Sequence, residues 1–317
     1  MSRIKSRVST SFANGLAVWI IVGVVAIIAA VTSPSFATLR NAENYLGQIP
    51  ALIVASCGML IAIIAGQIDL SIAALAKLSA VLISGIGDGD GTKFALAVVL
   101  CYGIGLLVGL FNAMLIVVLH VPAFIATLGT FSILEGLVLA YTVKGVGSVP
   151  TPIVNLTYAG IGPLPYSFIA VMILLAFLGW WFRKSRLALR MYAVGGDKEV
   201  ARRSGVKSGR VITYAMVLCS LFAVTAGIIQ VSRAGVGAPT TGDGLELAAI
   251  TAVVMGGASL MGGRGKLAGA VGGAVLLTLV DNALNMIGVS QYSQGVVRGL
   301  VIVAAIAIFV SRKRSST

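Results

Sequence analysis

The sequence predicts an all-α membrane protein with about ten transmembrane helices in two inverted-topology halves, both termini on the cytoplasmic side. Three observations carry that expectation. Of 317 residues, 58% are hydrophobic and only 10% charged, so most of the surface must face lipid. Apolar runs near the roughly 20 residues that cross a bilayer recur along the chain. Basic residues gather in alternate connections. Arg3, Lys5, Arg7, the stretch 183–210, Arg264, Lys266 and Arg312 to Arg314 fall on one side, and only Arg40, Lys93, Lys144 and Arg233 on the other. Lys and Arg near span ends resist translocation, so the richer side is the cytoplasm.

Taken in order, the spans are expected at 13–32, 50–66, 70–87, 94–119, 123–141, 166–182, 211–231, 246–261, 267–286 and 295–311. The first follows a basic N-terminus and precedes small residues near Ser35 to Ala37, a signal-like arrangement. So many later spans favour an uncleaved first helix. Between the sixth and seventh spans lies the one long polar segment, Arg183 to Arg210, with nine basic residues against Asp197 and Glu199. It offers the only large cytoplasmic surface on which a soluble partner could push. The net charge of +13 reads as topology and not as nucleic-acid binding, because it sits in short connections. Cys57, Cys101 and Cys219 lie inside apolar runs and read as inert buried thiols.

Two half-repeats, about 45–141 and 211–311, share features in one order. Ile68-Asp69-Leu70-Ser71 matches Leu245-Glu246-Leu247-Ala248; Phe111-Asn112-Ala113-Met114 matches Asp281-Asn282-Ala283-Leu284; Glu135-Gly136-Leu137-Val138 matches Arg298-Gly299-Leu300-Val301. The second span runs inward and the seventh outward, so the repeat is inverted, a signature of transporters that rock about a central path.

Polar residues mark where that path could run. The break at Gly66-Gln67-Ile68-Asp69-Leu70-Ser71 interrupts the apolar pattern, and Asp69 is placed to cap the next helix. Either the break lines the path or it is a buried cap. A second break, Thr240 to Glu246, puts Asp243 and Glu246 at capping-box spacing. Gln67, Asp69, Ser71, Asn112, Thr127, Thr130 and Gln230 are the candidate path residues. Charges inside spans are costly; Lys77 with Glu135, and Asp281 with Arg298, are expected to pair.

Other patterns exclude chemistry. Gly262-Gly-Arg-Gly-Lys266 lacks the first glycine and the Ser or Thr of a phosphate loop. Asp88-Gly-Asp-Gly91 lacks the remaining ligands of a calcium loop and reads as a turn. His120 is the only histidine, without a partner for a metal. No nucleophile–base pair or paired catalytic carboxylates stand out, so neither an enzyme nor a resident cofactor is expected.

The stretches GQIDLSIAAL at 66–75, VPAFIATLGTFSILEGL at 121–137, YAVGGDKEVARRSGV at 192–206 and APTTGDGLELAAITAVVMGGASLMGGRGKLAGAVGGA at 238–274 resemble permease subunits of bacterial ABC importers of the ribose-type sugar group. The resemblance covers roughly 45–311. It implies a type II importer-like fold in the bacterial inner membrane, and a dimer with a second copy or a related permease. It also implies a separate ATPase subunit that holds ATP and magnesium, and a periplasmic binding protein that delivers a sugar-like solute. The family's ATPase-coupling segment maps onto Gly195, Gly196, Asp197, Lys198, Glu199, Ala201, Arg202, Arg203, Gly205 and Val206. Lys144 and Arg233 stand on the opposite side, where the binding protein would dock. The chain departs from the usual pattern at Gln67, Ile72 and Ala73, at Lys77 where an apolar residue is usual, and at Glu135 where arginine is common. Wider relatives of the group carry amino acids, nucleosides or a furanose signal, and a transporter driven by an ion gradient is the rival of a different class.

Overall fold

The computed structural model describes residues 16–289 together with 295, 296 and 299. In these residues the chain is helical with one two-stranded ribbon: α1 (Leu16–Thr32), α2 (Leu39–Ile64), α3 (Ser71–Gly87), α4 (Gly91–Val117), α5 (Ala123–Tyr141), α6 (Thr151–Tyr158), β1 (Gly160–Ile161), β2 (Leu164–Pro165), α7 (Tyr166–Lys184), α8 (Arg186–Gly196), α9 (Lys198–Arg203), α10 (Ser208–Ala234), α11 (Leu245–Met255) and α12 (Leu267–Met286). Six of these, α2, α4, α5, α7, α10 and α12, are long and apolar enough to cross a membrane, and α1, α3 and α11 are shorter apolar helices. The expected tenth span at 295–311, and with it Arg298, lies outside the described residues.

Two helices form the axis of the packing. α2 is buried along most of its apolar length and lies against α10. From that pair the contacts fan out in a matched way: α10 packs on α3 and α4, which pack on each other, while α2 packs on α11 and α12, which also pack on each other. α5 covers α3 on one flank and α1 covers α12 on the other. Small residues make such approaches possible where no hydrophobic effect drives helices together. A Cβ on Gly109 of α4 would come within 2.6 Å of the Val217 Cα of α10, and one on Gly273 of α12 within 1.9 Å of the Ala252 carbonyl of α11. The outer faces carry Ile20, Val24 and Ile27 on α1, Val99 and Leu107 on α4, and Ile173 and Phe177 on α7, all exposed. That is the composition lipid selects.

Several boundaries differ from the sequence expectation, each for a local reason. The second helix begins at Leu39, not near 50, because Thr38 caps it by accepting the Asn41 amide. Pro50 then sits inside the helix and is buried, a position that a packed membrane bundle tolerates. The expected eighth span, α11, stops at Met255 because Gly256 and Gly257 end it, the latter at φ +88°. At 11 residues it rises only about 16 Å, half a bilayer. The stretch 183–210 is not a loop. It folds into α8, which buries Ala188, Met191 and Val194, then α9 and the start of α10. Asp88-Gly-Asp-Gly91 is a turn: Asp88 and Gly89 take positive φ, and Asp90 caps α4 by accepting the Thr92 and Lys93 amides.

Candidate functional site

Irregular backbone at membrane depth survives only where protein buries it or water reaches it, so the two breaks locate the functional region. The first joins α2 to α3. Asp69 is wholly buried, and its carboxylate accepts both the backbone amide of Ser71, at 2.9 Å, and the Ser71 hydroxyl. The Ser71 oxygen accepts Asn112 Nδ2 from α4 at 3.0 Å, and Asn112 Oδ1 accepts the Thr130 hydroxyl from α5 at 2.6 Å. Thr127 donates to the Ile68 carbonyl and accepts the Leu70 amide, both at 3.1 Å. Five of the seven candidate path residues therefore converge, yet they face one another inside the protein and not an open surface. In this conformation they clamp the start of α3 to α4 and α5. Gln67 stands apart, half-buried, its amide turned to the Ala65 carbonyl at 3.4 Å.

The second break runs from Gly235 to Gly244, between α10 and the half-length α11. It lies along α3. A Cβ on Gly237 would meet the Ala80 carbonyl at 2.6 Å, and one on Gly242 would lie 3.7 Å from the Ala73 carbonyl. The expected capping box is absent. Gly244, at φ +74°, precedes α11 without any side-chain cap, and the Asp243 carboxylate is drawn instead to the Lys77 ammonium at 2.5 Å. Lys77 also meets Glu135 of α5 at 2.7 Å. The Lys77 side chain is 6% exposed, against 25% for Glu135 and 59% for Asp243, so the acids sit at the open edge of the group. Gln230 and Glu246 belong to the same group: the Gln230 carboxamide lies against Gly242, and each has a buried side-chain oxygen without a hydrogen-bond partner. Sequence reasoning found the Lys77–Glu135 pair through the cost of charges in spans, and missed Asp243 because its spacing to Glu246 suggested a cap.

A third feature connects the polar surface to the first break and to the turn between α11 and α12. Gly195, at the end of α8, packs so closely that a Cβ there would stand 1.9 Å from the Ile64 carbonyl and 2.7 Å from the Gly263 amide. Gly262, at φ +88°, touches Gly66 and Gly195 backbone, and the Gly263 amide donates to the Ile64 carbonyl at 3.0 Å. Tyr192 of α8 adds a hydrogen bond to the Gly265 carbonyl at 2.7 Å. The glycines that imitate a phosphate loop thus serve close backbone contact. Beyond this junction α9 is held by its own charges. Asp197 accepts the Glu199 and Val200 amides, and Glu199 binds both Arg202 and Arg203, whose hydrogen bonds lower the Glu199 carboxyl pKa. Ala201 is buried, while Lys198, Glu199, Arg202 and Arg203 are exposed with Val200 among them and Gly205 beyond; Val206 is half-buried.

The remaining expected residues are placed less pointedly. Asp281 lies half-buried in α12, and the Arg298 expected to pair with it is outside the described residues. Lys144 is exposed. Arg233 is half-buried, its guanidinium over the Tyr158 ring at 5.7 Å and against Gly47. A groove of about 510 Å³ between α3, α4 and α5 is lined by Leu78, Ile104, Phe111 and Leu137 among other apolar side chains; its polarity suits lipid tails better than a polar solute. Among the described residues no cluster of His, Cys, Asp and Glu could hold a metal.

Comparison with known proteins gives these positions a context. The profile of the family described as branched-chain amino acid transport system / permease component matches residues 41–306. The ribose import permease protein RbsC of Bacillus subtilis (strain 168) is 36% identical, the match covering 92% of this chain and 91% of that protein. RbsC of Escherichia coli (strain K12) is 35% identical over 89% of each chain. The autoinducer 2 import system permease protein LsrC of Escherichia coli O9:H4 (strain HS) is 34% identical over 83% of this chain and 77% of its own. No solved structure matches.

Proposed function

The chain belongs to the family of branched-chain amino acid transport system permease components, among ribose-type ABC importer permeases, and from that premise we propose that it forms the translocation path for a sugar or sugar-like solute. It is a multi-pass membrane transport component and not an enzyme. In this reading an ATPase subunit on the cytoplasmic side hydrolyses ATP with its magnesium. A periplasmic binding protein docks on the opposite face, near Lys144 and the end of α10 at Arg233. The chain works in the inner membrane of a bacterium, paired with a second copy or a related permease.

One observation carries the mechanism. Gly195 touches the α2–α3 break at Ile64 and the α11–α12 turn at Gly263 at once. A displacement of α8 and α9 by an ATPase would therefore reach the α2–α3 break and the α11–α12 turn without passing through flexible side chains. The matched packing of α3 and α4 on α10, and of α11 and α12 on α2, supports two inverted halves that rock about the α2–α10 axis. Ten spans with both termini inside complete this topology. The Asp69–Ser71–Asn112–Thr127–Thr130 network braces one wall of the path, and Gln67 and Gln230 contribute to its polar lining. The names of the ribose and autoinducer 2 importers support a small hydroxyl-rich solute.

The test separates this from a gradient-driven transporter. Uptake of ribose by vesicles that hold the complete importer should continue when ionophores collapse the proton and sodium gradients, and stop when ATP is depleted. The reverse pattern would exclude an ABC importer.

A further inference from the structure

Lys77 does more than neutralise one neighbour. Its ammonium joins elements of both sequence halves: α3 and Glu135 on α5 from 45–141, and Asp243 from 211–311. The segment that carries Asp243 is otherwise fastened weakly to α3. It lies there through glycines, Gly237 against Ala80 and Gly242 beside Ala73, and its first residues are held elsewhere, where the Val149 and Val146 amides donate to the Gly235 and Gly237 carbonyls. Gly227 of α10 likewise meets the Ala76 carbonyl, one residue from Lys77. A smooth glycine seam closed by one directional ionic contact can be opened and reclosed without repacking a core.

Exposure gives the direction of release. Asp243 is 59% exposed on its side chain and Glu135 25%. Carboxylates at this depth face protein or water and not lipid. Lys77 retains Glu135 if Asp243 leaves, so detaching the segment does not strand a buried ammonium, the costly outcome for an ion pair. Nearby, the unpartnered oxygens of Gln230 and Glu246 are acceptors that a solute's hydroxyl groups or water could satisfy once the segment moves.

We propose that Lys77 is a positioning residue of transport, whose bridge to Asp243 latches segment 238–244 onto α3 and releases when the path opens. The proposal rests on the importer reading. It predicts that the 238–244 segment and α11 move away from α3 as a unit, with the bridge at Gly235 and Gly237 as the pivot and Glu135 holding Lys77 in place on its own side.

The test uses the full chain in membranes with a cysteine at position 73. Ala73 is 2% exposed beside Gly242, and the native Cys57, Cys101 and Cys219 are buried, which keeps background labelling low. Labelling by a membrane-impermeant maleimide should be slow in the Ala73→Cys chain and rise about threefold or more on adding Asp243→Asn, as the closed population falls. Because Asp243 is at the open edge, its amide variant should still fold; Lys77→Met should give the same rise. Exchanging the charges, Lys77→Asp with Asp243→Lys, should return labelling to within about twofold of the starting rate. In the complete importer, ATP-driven uptake should fall in both single variants and recover in part in the exchange. Unchanged labelling in Asp243→Asn, or an exchange as fast as the single variants, would overturn the latch. The labelling needs no ATP, so a parent chain that shows no ATP-driven uptake would strike at the importer reading and leave the latch standing.

Discussion

At the scale of single residues, the buried polar groups divide into those that hold the fold and those poised to let go. Asn112 spends its amide on two partners from different helices, donating to Ser71 and accepting from Thr130. Asn112→Ala would leave both hydroxyls buried with one contact fewer, at a cost of about 1–3 kcal/mol. A thermal unfolding midpoint several degrees below the parent's, for purified chain in detergent, is the expected result. Asn112→Asp retains one acceptor but adds a charge beside Asp69 and should be worse than Ala; a midpoint equal to the parent's in both variants would show the network to be idle. The partner of Asn112 by repeat position, Asn282, exchanges amide hydrogen bonds with Asn41 at 2.9 and 3.1 Å. Sequence revealed both asparagines as matched features. It could not reveal Asn41, which lies outside either repeat and becomes a partner only because α2 extends back to residue 39.

At the scale of elements, the legible part was the apolar periodicity and the missing part was where backbone touches backbone. Runs of Leu, Ile and Val announce a span, and nine of the ten expected spans coincide with an apolar helix in the described residues. Pro50 misled because proline ends helices in water more readily than inside a packed bundle. The Gly195–Ile64–Gly263 contact left no trace in pattern or charge, since glycine contributes by what it lacks. That contact makes a sharp prediction. Gly195→Ala should separate the motor from the path: ATP-driven uptake falls about tenfold or more, while the ATPase subunit stays bound and still hydrolyses ATP. Gly103 of α4, with open space where a Cβ would go, is the control, and Gly103→Ala should transport close to the parent rate. Equal behaviour of the two variants would remove the junction from the coupling route. On α9, Glu199 holds Arg202 and Arg203 at its exposed surface. Its carboxyl pKa is lowered by those arginines. The ordering it gives is present above the ordinary glutamate range and is lost as pH falls through the lowered value. Glu199→Gln should therefore remove the acid sensitivity of ATPase binding below the ordinary glutamate range; binding of the parent chain that stays flat as pH falls below that range would contradict the role.

At the scale of the whole molecule, the chain in the proposed mechanism is a passive frame with a lever on one side and a latch on the other. α8 and α9 expose charge, the glycine junction joins them to the α2–α3 break and the α11–α12 turn, and Lys77 bridges α3 to Asp243 just before the half-length α11. Composition made the apolar, membrane-crossing helices legible. The family resemblance added the division of labour between subunits. The solute was not legible, because a path that accepts cargo from a separate binding protein needs few contacts of its own. The measurement that tests this account most directly is gentle purification of the full chain from its native membrane, with mass spectrometry of the proteins that accompany it. The account predicts an ATPase subunit bearing nucleotide-binding motifs in the sample, lost when the Gly195 to Val206 surface is altered, and a second permease copy or a related permease in the same complex. A chain that purifies alone, under conditions that keep other ABC complexes intact, would contradict it.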